Sequence, residues 1–230
     1  MAAPNLVSCT QTVYNATGTK TTTSITWQAG DLILAFAISE GKDGDVFSNL
    51  PASVMIFTQR RSLSAGIALS QCAIACWSAT AVGTGSTVAV TIAGANAAST
   101  FYGLSVFVIR NHGGLGTTSV TATPSATQTL PLTLSGTGGS FVAWAVGDFG
   151  AQATPGTISP TPTDTQKAAN IAGHYDQYLA DLNTSVTTQS YGISGGGAGK
   201  FSIIAAEVKG PATSAQVFDP TQLQPPGLFI

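Results

Sequence analysis

The feature that most limits what this chain can become is its punctuation. Short runs of apolar, aromatic and β-branched residues recur from one end to the other, and clusters of Gly, Asn, Asp, Ser and Thr separate them. Such runs are too short for core helices and have the residue preferences of strands. They fall near residues 11–15, 22–28, 31–39, 53–60, 71–80, 86–93, 101–110, 117–122, 127–134, 140–148, 171–180, 186–191 and 200–208. Many short strands at even spacing predict an all-β fold, an antiparallel β-sandwich of jelly-roll type.

Two kinds of strand are distinguishable. In 86–93 the residues Val88, Val90 and Ile92 alternate with Thr87, Ala89 and Thr91, so one face is apolar and the other can be wet. Together with CAIACWSAT and the intervening AVGTG, this segment reads as a hairpin over 71–93. Leu32–Ile38, Leu104–Ile109 and Phe201–Ala206 are more continuously apolar, as expected of central strands covered on both faces. Segment 165–182 is ambiguous. Ile171, Tyr175, Tyr178, Leu179 and Leu182 have helical spacing after a possible Asp164 cap, whereas Gly173 and the alternation of Tyr175, Gln177 and Leu179 suit a strand.

Only 8% of the 230 residues are charged, against 43% hydrophobic, and the net charge is −2. Globular domains usually carry about 25% charged residues; here Ser, Thr, Gly and Ala take their place, which leaves a surface suited to packing against other proteins. Arg60-Arg61 is the only adjacent basic pair, so there is no patch for nucleic acid. The first residues lack a basic and then apolar leader, and no apolar run approaches the roughly 20 residues of a membrane helix, so neither a signal peptide nor a membrane partner is expected. Cys72 and Cys76, on one face of a strand, would lie about 13 Å apart, too far for a disulfide, and read with Cys9 as buried reduced thiols.

The chemical motifs weaken on inspection. Gly192-Ile193-Ser194-Gly195-Gly196 matches a nucleophile elbow, but both histidines, His112 and His174, precede Ser194, and a strand pattern rather than a helix follows. A triad of Ser194, His174 and Asp148 would need a non-standard geometry. The run ending in Gly199-Lys200 lacks the Ser or Thr of a phosphate loop, since Phe201 stands there. YGISGGGAGKF (191–201) therefore reads as a glycine-rich tight turn between two late strands. Glu40, Asp43, Asp45 and Asn49 could offer oxygens to calcium, but Lys42 sits among them and the spacing is not that of an EF-hand. Arg110-Asn111-His112 ends an apolar strand and reads as a structural corner or an interface contact. The expectation is no enzyme, no metal and no cofactor. Trp77 and Trp144 read as core, which leaves Tyr175 and Tyr178 as the candidate contacts for a host-surface glycan.

The last residues differ from the rest. Pro220, Pro225 and Pro226 prevent regular structure in GPATSAQVFDPTQLQPPGLFI (210–230), yet Phe218, Leu223, Leu228, Phe229 and Ile230 are costly to leave in water. The organisation expected is a sandwich over 1–210 and an extended docking arm over 211–230.

Taken together, TWQAGDLILAFAISEG (26–41), the segment 71–93, YGLSVFVIRNHGGLG (102–116), FVAWAVGDF (141–149) and YGISGGGAGKFSIIAAEVKG (191–210) resemble β-sandwich virion proteins of tailed bacteriophages, of the minor tail or head-decoration type. The resemblance covers roughly residues 20–210 and implies a non-enzymatic part of a particle. It implies major capsid or tail proteins as partners, assembly in several copies, with a trimer as one form, and a place in the virion. It brings no catalytic residue.

Overall fold

The computed structural model describes residues 3–11, 19–40, 47, 51–63, 72–83, 85, 89–92, 101–123, 127–135, 139–148, 157–159, 161, 167–171, 174–183, 187–194 and 201–212. Fifteen strands and no helix are found among them. In chain order the first seven are β1 (Asn5–Gln11), β2 (Lys20–Thr21), β3 (Leu32–Glu40), β4 (Thr58–Leu63), β5 (Ala73–Thr80), β6 (Thr91–Ile92) and β7 (Phe101–Arg110). There follow β8 (Leu115–Thr123), β9 (Thr127–Thr133), β10 (Ser140–Asp148), β11 (Thr157–Ser159), β12 (Lys167–Ile171), β13 (His174–Asn183), β14 (Thr188–Ser194) and β15 (Phe201–Val208).

Two five-stranded antiparallel sheets make the centre, with orders β1-β7-β3-β5-β4 and β12-β13-β10-β15-β8. Their facing surfaces share one core. From the first sheet come Leu32, Leu34, Phe36, Ile38, Ile74, Phe107 and Ile109; from the second come Phe141, Ala143, Ala145, Ile204, Ala206 and Val208. This is a sandwich-like arrangement, and the all-β class with antiparallel sheets is as the punctuation predicts.

The outer faces of both sheets are covered as well, which explains the largely apolar runs. On β3 the alternate residues Ile33, Ala35 and Ala37 meet Trp77, Val106, Ile25, Trp27, Met55 and Phe57 under a layer that includes the β2-β6 pair. On β10 the alternate residues Val142, Trp144 and Val146 meet Leu130, Leu132, Tyr191 and Ile193 of the third sheet, β11-β14-β9. The result is a four-layer stack. Each fully buried Leu, Ile or Phe on both sides of these strands contributes about 1.5–3 kcal/mol relative to exposure, so a polar substitution in β3, β5 or β10 loses on either face. β9, with only one covered face, shows the strict exposed and buried alternation of a surface strand.

Several local expectations change. The hairpin over 71–93 does not form: both edges of β5 are taken by β3 and β4, and the chain crosses to the outer layer, where β6 pairs with β2. A strand buried on both faces gains more from two ladder neighbours than from its own continuation. Segment 165–182 is strand, not helix: β12 and β13 pair, and Gly173 lies between them. β14 and β15 belong to different sheets, so 191–201 is a passage from the outer sheet to the central one rather than a tight hairpin, residues 195–200 lying outside the described residues. The first strand begins earlier than expected, at Asn5, because its partner is β7 across the whole first half.

Candidate functional site

The polar side chains that the fold brings together lie at one end of the stack, where β3 and β10 begin and β7 and β15 finish. Gly30, at φ +86°, turns the chain so that Asp31 enters β3 with its side chain directed back. Asp31 is 2% exposed and accepts from Arg110 Nε (2.8 Å) and Nη2 (2.7 Å) and from the Gln28 backbone N–H (2.8 Å). Burial alone would raise the Asp31 carboxyl, but these donors, Arg110 first, outweigh it and hold the group below its ordinary value. The same pairing raises Arg110.

The loop that follows β7 is fixed to this pair. His112 Nε2 donates to the Gly30 carbonyl (2.7 Å), and Nδ1 accepts the Gly114 N–H (3.0 Å), so the ring is the Nε2-protonated tautomer. Asn111 sits at φ +56° and donates to Asn5 Oδ1. Gln28–Asp31 and Arg110–His112 line an open cleft of about 360 Å³. The two histidine nitrogens and both Asp31 oxygens are engaged within the corner, where they tie the turn at 28–31 to the turn at 111–114. Arg110-Asn111-His112 is thus a structural corner.

A second carboxylate lies in the other half. Glu207, fully buried in β15, accepts from the Ser140 hydroxyl (2.7 Å), the Ser135 hydroxyl (2.7 Å) and the N–H groups of Ser135 and Thr117 (both 2.9 Å). Burial pushes its pKa up, and the four donors together reverse this, down to about 2. Gly116 is required beside it, because a Cβ there would overlap Glu207 Oε2. The group ties the start of β8, the end of β9 and the start of β10 to one point.

The other residues singled out from sequence are dispersed. Ser194 ends β14 in the outer sheet with its side chain exposed, while Asp148 and His174 stand on paired strands of the central sheet, their side chains outside the described residues. Tyr175 and Tyr178 lie on β13, opposite Asn170 and Lys167. Their side chains lie outside the described residues. The acidic residues Asp43 and Asp45 with Asn49, and all five arm residues Phe218, Leu223, Leu228, Phe229 and Ile230, lie outside the described residues. Trp77 and Trp144 are core, both with no exposure. Cys9, Cys72 and Cys76 form no disulfide, and burial pushes the Cys76 thiol up. Among the described residues no group of three or more His, Cys, Asp or Glu could hold a metal ion.

Sequence reading passed over Asp31 and Glu207, although each carried a signal. Asp31 follows a glycine at the threshold of the most apolar strand, and Glu207 is a lone charge inside FSIIAAEV. A carboxylate in such a run must be hydrogen-bonded to survive burial.

Compared with protein-family models, with curated proteins and with solved structures, the chain gives no match.

Proposed function

We propose that the protein is a non-enzymatic structural component of a tailed-phage virion, held to the capsid or tail by protein contacts. One observation carries this reading beyond the sequence resemblance: the stack is polar. Residues 3–5 and 210–212 lie at the end marked by Gly30 and Arg110, as do the compact turns 28–31 and 111–114. The strand ends that lead into 41–46, 64–71, 93–100, 149–156 and 195–200 lie at the opposite end. A body with residues 3–5 and 210–212 at one pole and those strand ends at the other suits attachment at the first pole and display at the second.

The rigid, doubly covered sheets supply a scaffold, and the sparse charge suits close protein contact. Major capsid or tail proteins and further copies of the chain, as in a trimer, are the partners this reading assigns, with the apolar residues of 211–230 as the contact. The test is incorporation: particles are purified from cells making either the full chain or a chain ending at Gly210, and the protein is quantified by mass spectrometry. The reading expects the full chain in particles at a fixed copy number and loss of the shortened one. Absence of the full chain from particles refutes the virion assignment, and unchanged incorporation of the shortened one refutes the arm.

A further inference from the structure

The two halves of the stack follow one plan. Counting eight elements in chain order, the first half runs β1, β2, β3, the bridge at Ala52, β4, β5, β6 and β7; the second runs β8, β9, β10, β11, β12, β13, β14 and β15. The sheet order β1-β7-β3-β5-β4 then becomes first, eighth, third, sixth, fifth, and β8-β15-β10-β13-β12 reads the same. The outer layers agree too. Second pairs with seventh, and seventh with fourth: β2 with β6 and Thr91 of β6 with Ala52, against β9 with β14 and β14 with β11. A sheet of first, eighth, third and sixth strands over a layer of second, seventh and fourth is the order of a jelly roll, except that the fifth strand, which there joins the second layer, here extends the first beside the sixth.

Residue-level detail repeats as well. One sequence offset relates Gly30 to Gly139, Leu32 to Phe141 and Leu6 to Leu115. Gly30 and Gly139 introduce the third strand of each half with positive φ, +86° and +81°. Leu32 pairs with Ile109 as Phe141 pairs with Val208. Leu6 pairs with that same Ile109, and Leu115 with that same Val208; both ladders then shift register at the next step.

The way the sheets face each other gives the relation between the halves. β3 lies over β10, β5 over β15 and β4 over β8: third over third, sixth over eighth, fifth over first. Rotation by half a turn about an axis along the strands, midway between the sheets, produces this crossing; a simple stacking would put sixth over sixth. Ile38 and Gly147, related by the same offset, meet across that axis, where a Cβ on Gly147 would overlap Ile38 Cγ2.

We infer that the chain is two copies of one jelly-roll unit, residues 3–112 and 113–212, joined face to face, and that the apolar face between the central sheets is a docking surface whose partner is a copy of the same unit. The outer clusters around Trp77 and Trp144 are the units' own cores, and the central cluster is their interface. Both contributing faces are apolar, with Leu32, Leu34, Phe36 and Phe107 against Phe141, Ile204 and Val208, as in obligate dimers. The linker 111–114 crosses the end of the stack from Arg110, over Gly30, to the backbone of Lys209, and so into β8. The axis requires a second path of equal span from Lys209 to the start of β1.

Circular permutation tests that requirement. One permutant keeps every residue, running from Gly113 to Ile230 and on from Met1 to His112. A second joins Lys209 directly to Leu6 through Asn-His-Gly-Gly, the sequence of the natural linker. Two related units predict that both fold, with the circular dichroism of the parent and melting temperatures within about 5 °C of each other. A short-linked permutant that is unfolded while the complete one folds shows that the paths differ and overturns the inference. Failure of both overturns it equally, because the ends then do not meet as the axis demands.

Discussion

Replacing Glu207 by glutamine tests the buried carboxylate most directly. The carboxylate takes four donors, from Ser140, Ser135 and Thr117, and an amide would turn its own N–H groups toward some of them. A carboxyl whose pKa falls from 4.5 to about 2 on folding contributes about 3 kcal/mol, by linkage. The sign follows from the folded value being the lower one: the contribution is complete above pH 4.5 and is lost as the pH falls from there toward 2. Urea unfolding of the parent and of Glu207→Gln at pH 7, 5, 4 and 3 reads both effects. At pH 7 the variant should be less stable by about 3 kcal/mol, the donors it strands adding to the loss. Between pH 5 and 3 the difference should shrink, since the parent then gives up what the variant never had. Equal stabilities at pH 7, or curves that stay parallel down to pH 3, would refute the argument.

Arg110→Ala leaves Asp31 buried without its strongest partner and should cost about 1–2 kcal/mol, less than a fully buried pair because Arg110 is 31% exposed; thermal melts of the variant and of the milder Arg110→Lys check this. Gly147→Ala should cost about 1–3 kcal/mol by crowding Ile38 Cγ2, and Ile38→Ala, which removes that methyl, should cost less in the Gly147→Ala chain than in the parent; additive losses in a double-mutant cycle would show that the two do not touch. Cys72 and Cys76 should react with a thiol reagent only as fast as the protein unfolds, with the half-buried Cys9 reacting sooner; rapid labelling of all three in native buffer would contradict their burial.

Strand content was legible wherever one strand carried its own evidence. Leu32–Ile38, Leu104–Ile109 and Phe201–Ala206 announced two covered faces by runs that are apolar except at Ser105 and Ser202, and β3, β7 and β15 are indeed interior strands of the central sheets. Partner choice was not legible in the same way. AVGTG looks like a hairpin loop, yet whether β5 pairs with the next segment or with β3 and β4 depends on sheets made from residues far away in sequence. The ion pair of Asp31 with Arg110 joins residues that nothing local connects. Repetition escaped sequence reading for a related reason. The echo of YGLS at 102–105 in YGIS at 191–194 joins β7 to β14, which are not counterparts, whereas true counterparts such as Leu34 and Ala143 share a place and not a residue type.

The pairing of β1 with β7, and of β8 with β15, also sets the order of events as the chain is made. Asn5 must wait for Arg110, and Leu115 for Val208, so each half holds its opening strand without a ladder neighbour until its closing strand has been synthesised. During that interval β3 and β5 can pair with each other but lack β7, and their apolar faces are open to wrong partners. Slow, late-closing folding with a vulnerable period in each half is the kinetic counterpart of a structure in which first and last strands lie side by side.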